Sequence, residues 1–212
     1  MDAMSLVSDS GPAESRVRVF LARIAADSGL SARFLNSLSL LEYIGSRKIM
    51  VSQAGALNGE TLKHLAEETR HAFFFKRAAE AVAGRPMEYG AGDVLAGPQA
   101  RLYMGRLDAF IARSVSGPAA YLYMSTIVEM RAVWFYKLFD QVLKAAGRTL
   151  KLSSLLAEEQ NHLAQLRARL ADPLVETRLE SFAAHENIQF ARLLDALEDA
   201  SCAAVARAPA KA

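Results

Sequence analysis

The sequence holds one cysteine, Cys202, in 212 residues, which excludes an internal disulfide and any cysteine-built zinc or iron–sulfur centre. Glycine and proline are sparse, at 12 and 6, too few for the turn-dense layout of a sandwich or barrel. Neither sign of charge dominates. The 25 Lys and Arg against 23 Asp and Glu leave +2, a balance that announces no nucleic-acid surface. Long hydrophobic runs are missing too: the most apolar stretch, 118–128, is closed by Glu129 and Arg131, well short of the ~20 residues that cross a bilayer. Residues 1–15 are polar and broken by Gly11-Pro12, so no secretory signal is visible. With 52% apolar residues, the expectation is a soluble, cytoplasmic, all-α protein with a core that needs no covalent staple.

Periodicity divides the chain. Residues 1–13 are expected to be a disordered lead-in, 14–203 a single helical-bundle domain, and 204–212 a frayed tail. Val17, Phe20, Leu21 and Ile24 recur at helical spacing up to a stop at Gly29. Ser31 is the expected N-cap of a helix over about 32–51, whose apolar stripe (Leu35, Leu38, Gly45, Ile49) contains Glu42. Asn58-Gly59-Glu60 opens a second helix that runs to Gly84, with Thr61, His64, Leu65, Glu68, His71, Ala72, Phe75 and Ala79 on one face. The connection from Gly84 to Pro118 carries helical spacing over 101–113 and is too long for neighbouring antiparallel helices, which predicts a crossover between two hairpins. A third helix, from Pro118 to about Ala146, places Glu129 among Leu122, Thr126, Ala132, Val133 and Tyr136. The fourth has the cleanest stripe, Leu152, Leu155, Leu156, Glu159, His162, Leu163, Leu166 and Leu170. Asp172-Pro173 then ends it and caps a fifth.

Two of these helices share a motif. Ala66 to His71 and Ala157 to His162 both read A-E-E-x-x-H, and residues three apart share a helix face, so Glu68 with His71 and Glu159 with His162 can each aim at one spot. The first hairpin therefore supplies Glu42, then Glu68 and His71; the second supplies Glu129, then Glu159 and His162. In the second hairpin the ligands meet at one depth only if an irregular loop near Gly147 absorbs an offset of about one helical turn. Four buried carboxylates without counter-charge would cost several kcal/mol each or take up protons. Two divalent cations cancel them and leave the imidazoles neutral, as good ligands; oxygen-rich mixed ligation favours iron or manganese. His64, one turn before Glu68, reads as a core or rim histidine, with a supporting role behind the ligands as the alternative. Glu67 and Glu158, turned by ~100° from their neighbours, read as solvated or as inter-helix pairs. His185 reads as structural or exposed, and the aromatic residues near the ligands (Tyr43, Tyr121, Tyr123, Trp134, Tyr136) as packing. Phe73-Phe74-Phe75 cannot all face inward, which leaves one for a pocket mouth or an oligomer interface, a homodimer included.

With Glu42, Glu68-Thr69-Arg70-His71, Glu129 and Glu159-Gln160-Asn161-His162, the span from about 31 to 171 resembles the ferritin-like diiron-carboxylate superfamily. That resemblance implies a ferritin-like four-helix bundle with a long crossover and extra N- and C-terminal helices. It also implies a pair of iron ions, or Mn/Fe or Mn/Mn, held by Glu42, Glu68, His71, Glu129, Glu159 and His162. Thr126 and Ala132 stand where peroxide-reducing rubrerythrin-like members carry an additional glutamate. The symmetric six-ligand set on a short chain is closest in pattern to the small oxygenases and hydroxylases, and Glu129-Met130-Arg131 leans towards the tRNA hydroxylase-like group. The implied activity is dioxygen-dependent oxidation of a small or tRNA-borne organic substrate, with an external electron donor and no membrane partner. Alternatives are ferroxidase, iron-handling or peroxide-reducing chemistry without an organic substrate, or a vestigial site.

Overall fold

In a computed structural model of the chain, residues 5–8 and 14–206 are described, apart from 56, 91 and 172; among them the elements are eight helices and no strand. They are α1 (Ser5–Ser8), α2 (Glu14–Ala26), α3 (Ser28–Ser52), α4 (Gly59–Ala83), α5 (Gly97–Ser114), α6 (Gly117–Ala145), α7 (Ser153–Arg169) and α8 (Val175–Ala206). None is long and apolar enough to cross a membrane. Two expectations at the N-terminal end change. Within the expected lead-in, Ser5–Ser8 forms a helical turn whose Val7 is fully buried, and residues 1–4 and 9–13 lie outside the described residues. Gly29 does not stop α2, and Ser31 is not a cap. The cap is Asp27, whose Oδ1 accepts the Leu30 N–H at 2.8 Å. A Cβ on Gly29 would sit 3.3 Å from that oxygen, so the glycine makes room for the cap. At the other end α8 continues to Ala206, past the expected start of fraying; 207–212, and Asp172 as the proposed cap of the last helix, lie outside the described residues.

Helix α4 begins and ends as its sequence dictates. Asn58 Oδ1 accepts the Thr61 N–H at 2.9 Å, and Gly84 closes the helix at φ 66°, a left-handed conformation that glycine adopts without strain. Pairings across α3 and α4 run in opposite directions along the two chains: Asn36 with Lys76, Ser39 with Ala72, Gly45 with Glu68. The two helices are thus an antiparallel hairpin. α6 and α7 form the second. Its turn takes up the depth offset, because the Arg148 N–H reaches back to Leu143 O (2.9 Å), Gly147 is left-handed, and the Leu152 N–H is held by Asp140 Oδ1 at 3.3 Å.

The crossover is tied down before α5 starts. Asn36 donates to the carbonyls of Glu88 (2.7 Å) and Asp93 (2.8 Å), and the Leu95 N–H bonds Ser37 Oγ at 2.7 Å. α5 then packs on α3 and α8, and α2 packs on α3 and α6. Phe34 anchors that side, edge-on to Phe20 and Phe139 at 5.3 and 5.6 Å between ring centres. Each such fully buried side chain contributes about 1.5–3 kcal/mol. The rigid walls they build hold α3, α4, α6 and α7 around a charged interior.

Candidate metal centre

All six sequence-predicted ligands lie inside the protein, between 1% and 8% exposed, on the four helices expected: Glu42 on α3, Glu68 and His71 on α4, Glu129 on α6, Glu159 and His162 on α7. The structure brings them together in two overlapping clusters. In one, Glu42, Glu68, His71 and Glu159 offer ligand atoms all within 4.8 Å of one another; in the other, His64, Glu68, Glu129 and His162 do so. Glu68 belongs to both. Glu159 also spans them, with Oε1 3.0 Å from His71 Nδ1 and Oε2 3.4 Å from His162 Nδ1.

The inner faces of these groups are unsatisfied. Glu68 Oε1, His71 Nδ1, Glu159 Oε2 and His162 Nδ1 are buried and have no hydrogen-bond partner, although carboxylate oxygens stand close to both imidazole nitrogens. Buried polar atoms are rarely left so, and four converging from two helices fit a cation that each would coordinate. The outer faces, by contrast, are fixed. His71 Nε2 bonds Glu158 at 2.9 Å and His162 Nε2 bonds Glu67 at 2.7 Å. Each hairpin thus orients the other's histidine through the glutamate that precedes its own ligand. Glu67 and Glu158 are inter-helix partners. The doubled Glu-Glu in each motif was the signal for this. One glutamate faces the centre, and the next, turned by ~100°, reaches the opposite helix. Arg70 completes the arrangement by binding Glu158 at 2.6 Å.

His64 is the residue whose role sequence reasoning set too low. Its Nε2 lies 3.2 Å from Glu129 and 3.4 Å from Glu68, and Nδ1 bonds the Tyr121 hydroxyl at 2.7 Å. With Nδ1 carrying the proton, Nε2 has a lone pair for the second cluster. Tyr136 likewise departs from plain packing, since its hydroxyl donates to Glu42. Tyr43, Trp134 and His185 lie elsewhere: Tyr43 is exposed and stacks on Tyr89, Trp134 packs on Phe190, and His185 stacks on Phe110 with ring centres 3.9 Å apart. Of the phenylalanine triplet, Phe75 is buried and Phe73 is 61% exposed.

Electrostatics follow from the crowding. Burial opposes charge on the three imidazoles, but carboxylates overrule it. Glu129 and Glu68 carry His64 up to about 12, Glu159, Glu42 and Glu68 carry His71 up to about 10, and Glu129, Glu159 and Glu67 carry His162 up to about 11. Burial and repulsion from Glu68 and Glu159 push Glu42 well above the carboxylate range; burial and Glu129 raise Glu159. Burial would raise Glu129, but the imidazoles of His162 and His64 beside it hold it lower.

The centre forms one end of an apolar chamber of about 100 Å³. Glu42, Glu68, Glu129 and Glu159 line it together with Leu38, Phe135, Phe190 and Leu197. A separate groove of about 450 Å³ between α4 and α7 reaches His64, Glu67 and His162 from outside. Comparison of the chain with protein-family models, curated proteins and solved structures gave no match, so the site is read from its geometry alone.

Proposed function

We propose that the protein is a ferritin-like dinuclear carboxylate enzyme, holding two iron ions or an Mn/Fe pair, that uses dioxygen to oxidise or hydroxylate an organic substrate. The observation that carries this reading is the convergence of four carboxylates and three imidazoles beside an apolar chamber, with the inner atoms of Glu68, His71, Glu159 and His162 unpartnered. Bound metals would supply the binding and reduction of dioxygen. Glu42, Glu68, His71 and Glu159 would hold one ion, and His64, Glu68, Glu129 and His162 the other, with Glu68 common to both. Glu158 and Glu67 keep the Nδ1 atoms of His71 and His162 turned inward. The walls from Leu38, Phe135, Phe190 and Leu197 exclude water and seat the hydrocarbon part of the substrate. For a hydroxylation the balance is one C–H bond, one dioxygen, two electrons from an external donor and two protons, giving an alcohol and one water.

Iron oxidation without an organic substrate would use the same ligands but has no need of the chamber. The test is metal analysis and anomalous scattering on protein purified without chelator, then single turnover of the ferrous protein with dioxygen. Two transition-metal ions per chain at the two clusters are expected, with dioxygen consumed in stoichiometric amounts. Fewer than one ion per chain after reconstitution would defeat the reading.

A further inference from the structure

The chamber has a second polar feature, supplied by α6 two residues beyond Glu129. Arg131 is 5% exposed and lines the chamber beside Tyr103 and Phe190. Its Nε and Nη2 form a fork on the fully buried Glu186, at 2.9 and 2.7 Å, and Nη2 also donates to Asn187 Oδ1. Tyr103 donates to the same carboxylate at 2.7 Å, and the rings of Phe190 and Trp134 lie 4.2 and 4.8 Å from the guanidinium carbon. This holds one edge of the guanidinium rigidly. The remaining nitrogen, Nη1, is buried and has no partner.

A buried donor without an acceptor is costly, and the cost is recovered when an acceptor oxygen arrives. We infer that Arg131 Nη1 is the donor that selects the substrate of the proposed reaction, a small neutral molecule or group, mostly hydrocarbon, bearing one carbonyl, ether or hydroxyl oxygen. Neutrality follows from Glu186, which already balances the guanidinium; a carboxylate would bring an uncompensated charge to an apolar wall. Size follows from the chamber, whose roughly 100 Å³ is of the order of the ~150 Å³ of an engineered cavity that takes benzene, so a single small ring is the upper limit. With its oxygen on Arg131, the occupant's hydrocarbon part extends towards the four glutamates. The inference deepens the proposed function and rests on its reading of the chamber.

The test uses the whole chain, metal-loaded, with cyclopentanone and methylenecyclopentane, whose exocyclic double bonds give them nearly the same planar shape. The expected result is that Arg131→Met/Glu186→Gln, which removes both charges, weakens cyclopentanone about tenfold and leaves methylenecyclopentane unchanged. Equal loss for both probes, or none for either, overturns the inference. Should that variant fail to fold, the infrared carbonyl stretch of cyclopentanone bound to the unaltered protein decides. A shift to the hydrogen-bonded range supports Arg131 as donor, and the frequency found in hydrocarbon solvent refutes it. Tighter binding of cyclopentanecarboxylate than of the ketone would refute the neutral class. Absence of cyclopentanone binding in protein that holds two metals sinks this inference alone; ketone binding in protein that holds none sinks the proposed function alone.

Discussion

Metal uptake by this centre should be an exchange of cations for protons. In the metal-free protein at neutral pH, His64, His71 and His162, raised to about 12, 10 and 11, hold their imidazolium protons, and burial with its neighbours Glu68 and Glu159 pushes Glu42 towards its protonated form. With two divalent ions bound, four carboxylates face four metal charges and the imidazoles must be neutral to coordinate. The three imidazolium protons must leave, with whatever proton Glu42 holds, so binding of two ions releases at least about three protons. Affinity should then rise by about 1.5 decades or more per ion per pH unit, or about 2 kcal/mol, across the neutral range. Anaerobic titration with Mn(II) or Fe(II) in two buffers of different ionisation enthalpy counts the protons calorimetrically. The stability of the metal-free protein has the opposite slope. Imidazoles raised from 6.5 in the unfolded chain stabilise the fold fully below 6.5, and that contribution is lost as pH rises from there towards 10 and beyond. Release of one proton or fewer, or an affinity flat between pH 6.5 and 9, would refute this account of the interior.

Glu68→Ala should abolish binding of both ions, because Glu68 belongs to both clusters, whereas Glu42→Ala should retain about one; metal analysis after gel filtration distinguishes them, and equal loss would argue against the shared role. Glu67→Gln with Glu158→Gln should keep both ions but weaken them about 10–100-fold, the usual effect of losing the group that orients a ligating histidine. Competition with a chromogenic chelator measures it, and unaltered affinity would mean these glutamates merely pair across the surface. Gly45→Ala separates fold from function. Its Cβ would stand 3.3 Å from Glu68 Oε2, so metal affinity should fall about tenfold, while the metal-free melting temperature holds or rises because alanine favours the helix by up to about 1 kcal/mol. A drop in metal-free stability instead would show that the backbone of α3, and not the carboxylate, gives way.

What the sequence made legible was what repeats along one helix. The stripe of α4 and its glycine stop, the crossover, and all six acidic and imidazole residues on apolar faces follow from spacing three and four. Boundaries set by a single side chain were harder. Asp27 and Ser31 are both good caps, and only the position of Gly29 against Asp27 Oδ1 decides between them. Apart from the pairing of Glu67 and Glu158 across the bundle, contacts between helices were out of reach for the same reason. Nothing within α6 indicates that Tyr136 meets Glu42, and nothing within α8 indicates that Glu186 will bury itself on Arg131.

Those unforeseen contacts are what make the two halves of the centre different. The hairpins match at Glu42 and Glu129, at Glu68 and Glu159, and at His71 and His162, down to the glutamate that orients each opposing histidine. The match then fails on both sides. Four residues before Glu68 stands His64, but four before Glu159 stands Leu155; seven residues after Glu129 stands Tyr136, but seven after Glu42 stands Ile49. One carboxylate, Glu129, therefore has the additional imidazole of His64 beside it and is held below its ordinary range, while the other, Glu42, has a phenol in that place and is pushed above it by burial and by Glu68 and Glu159. A symmetric cage would treat its two ions alike. With metal bound, this one would give an ion at Glu129 an additional nitrogen donor from His64. Glu42, with Arg131, also lines the chamber. In the proposed enzyme the carboxylate without the additional imidazole would thus border the space where a substrate would sit, an asymmetry that storage of metal would not require.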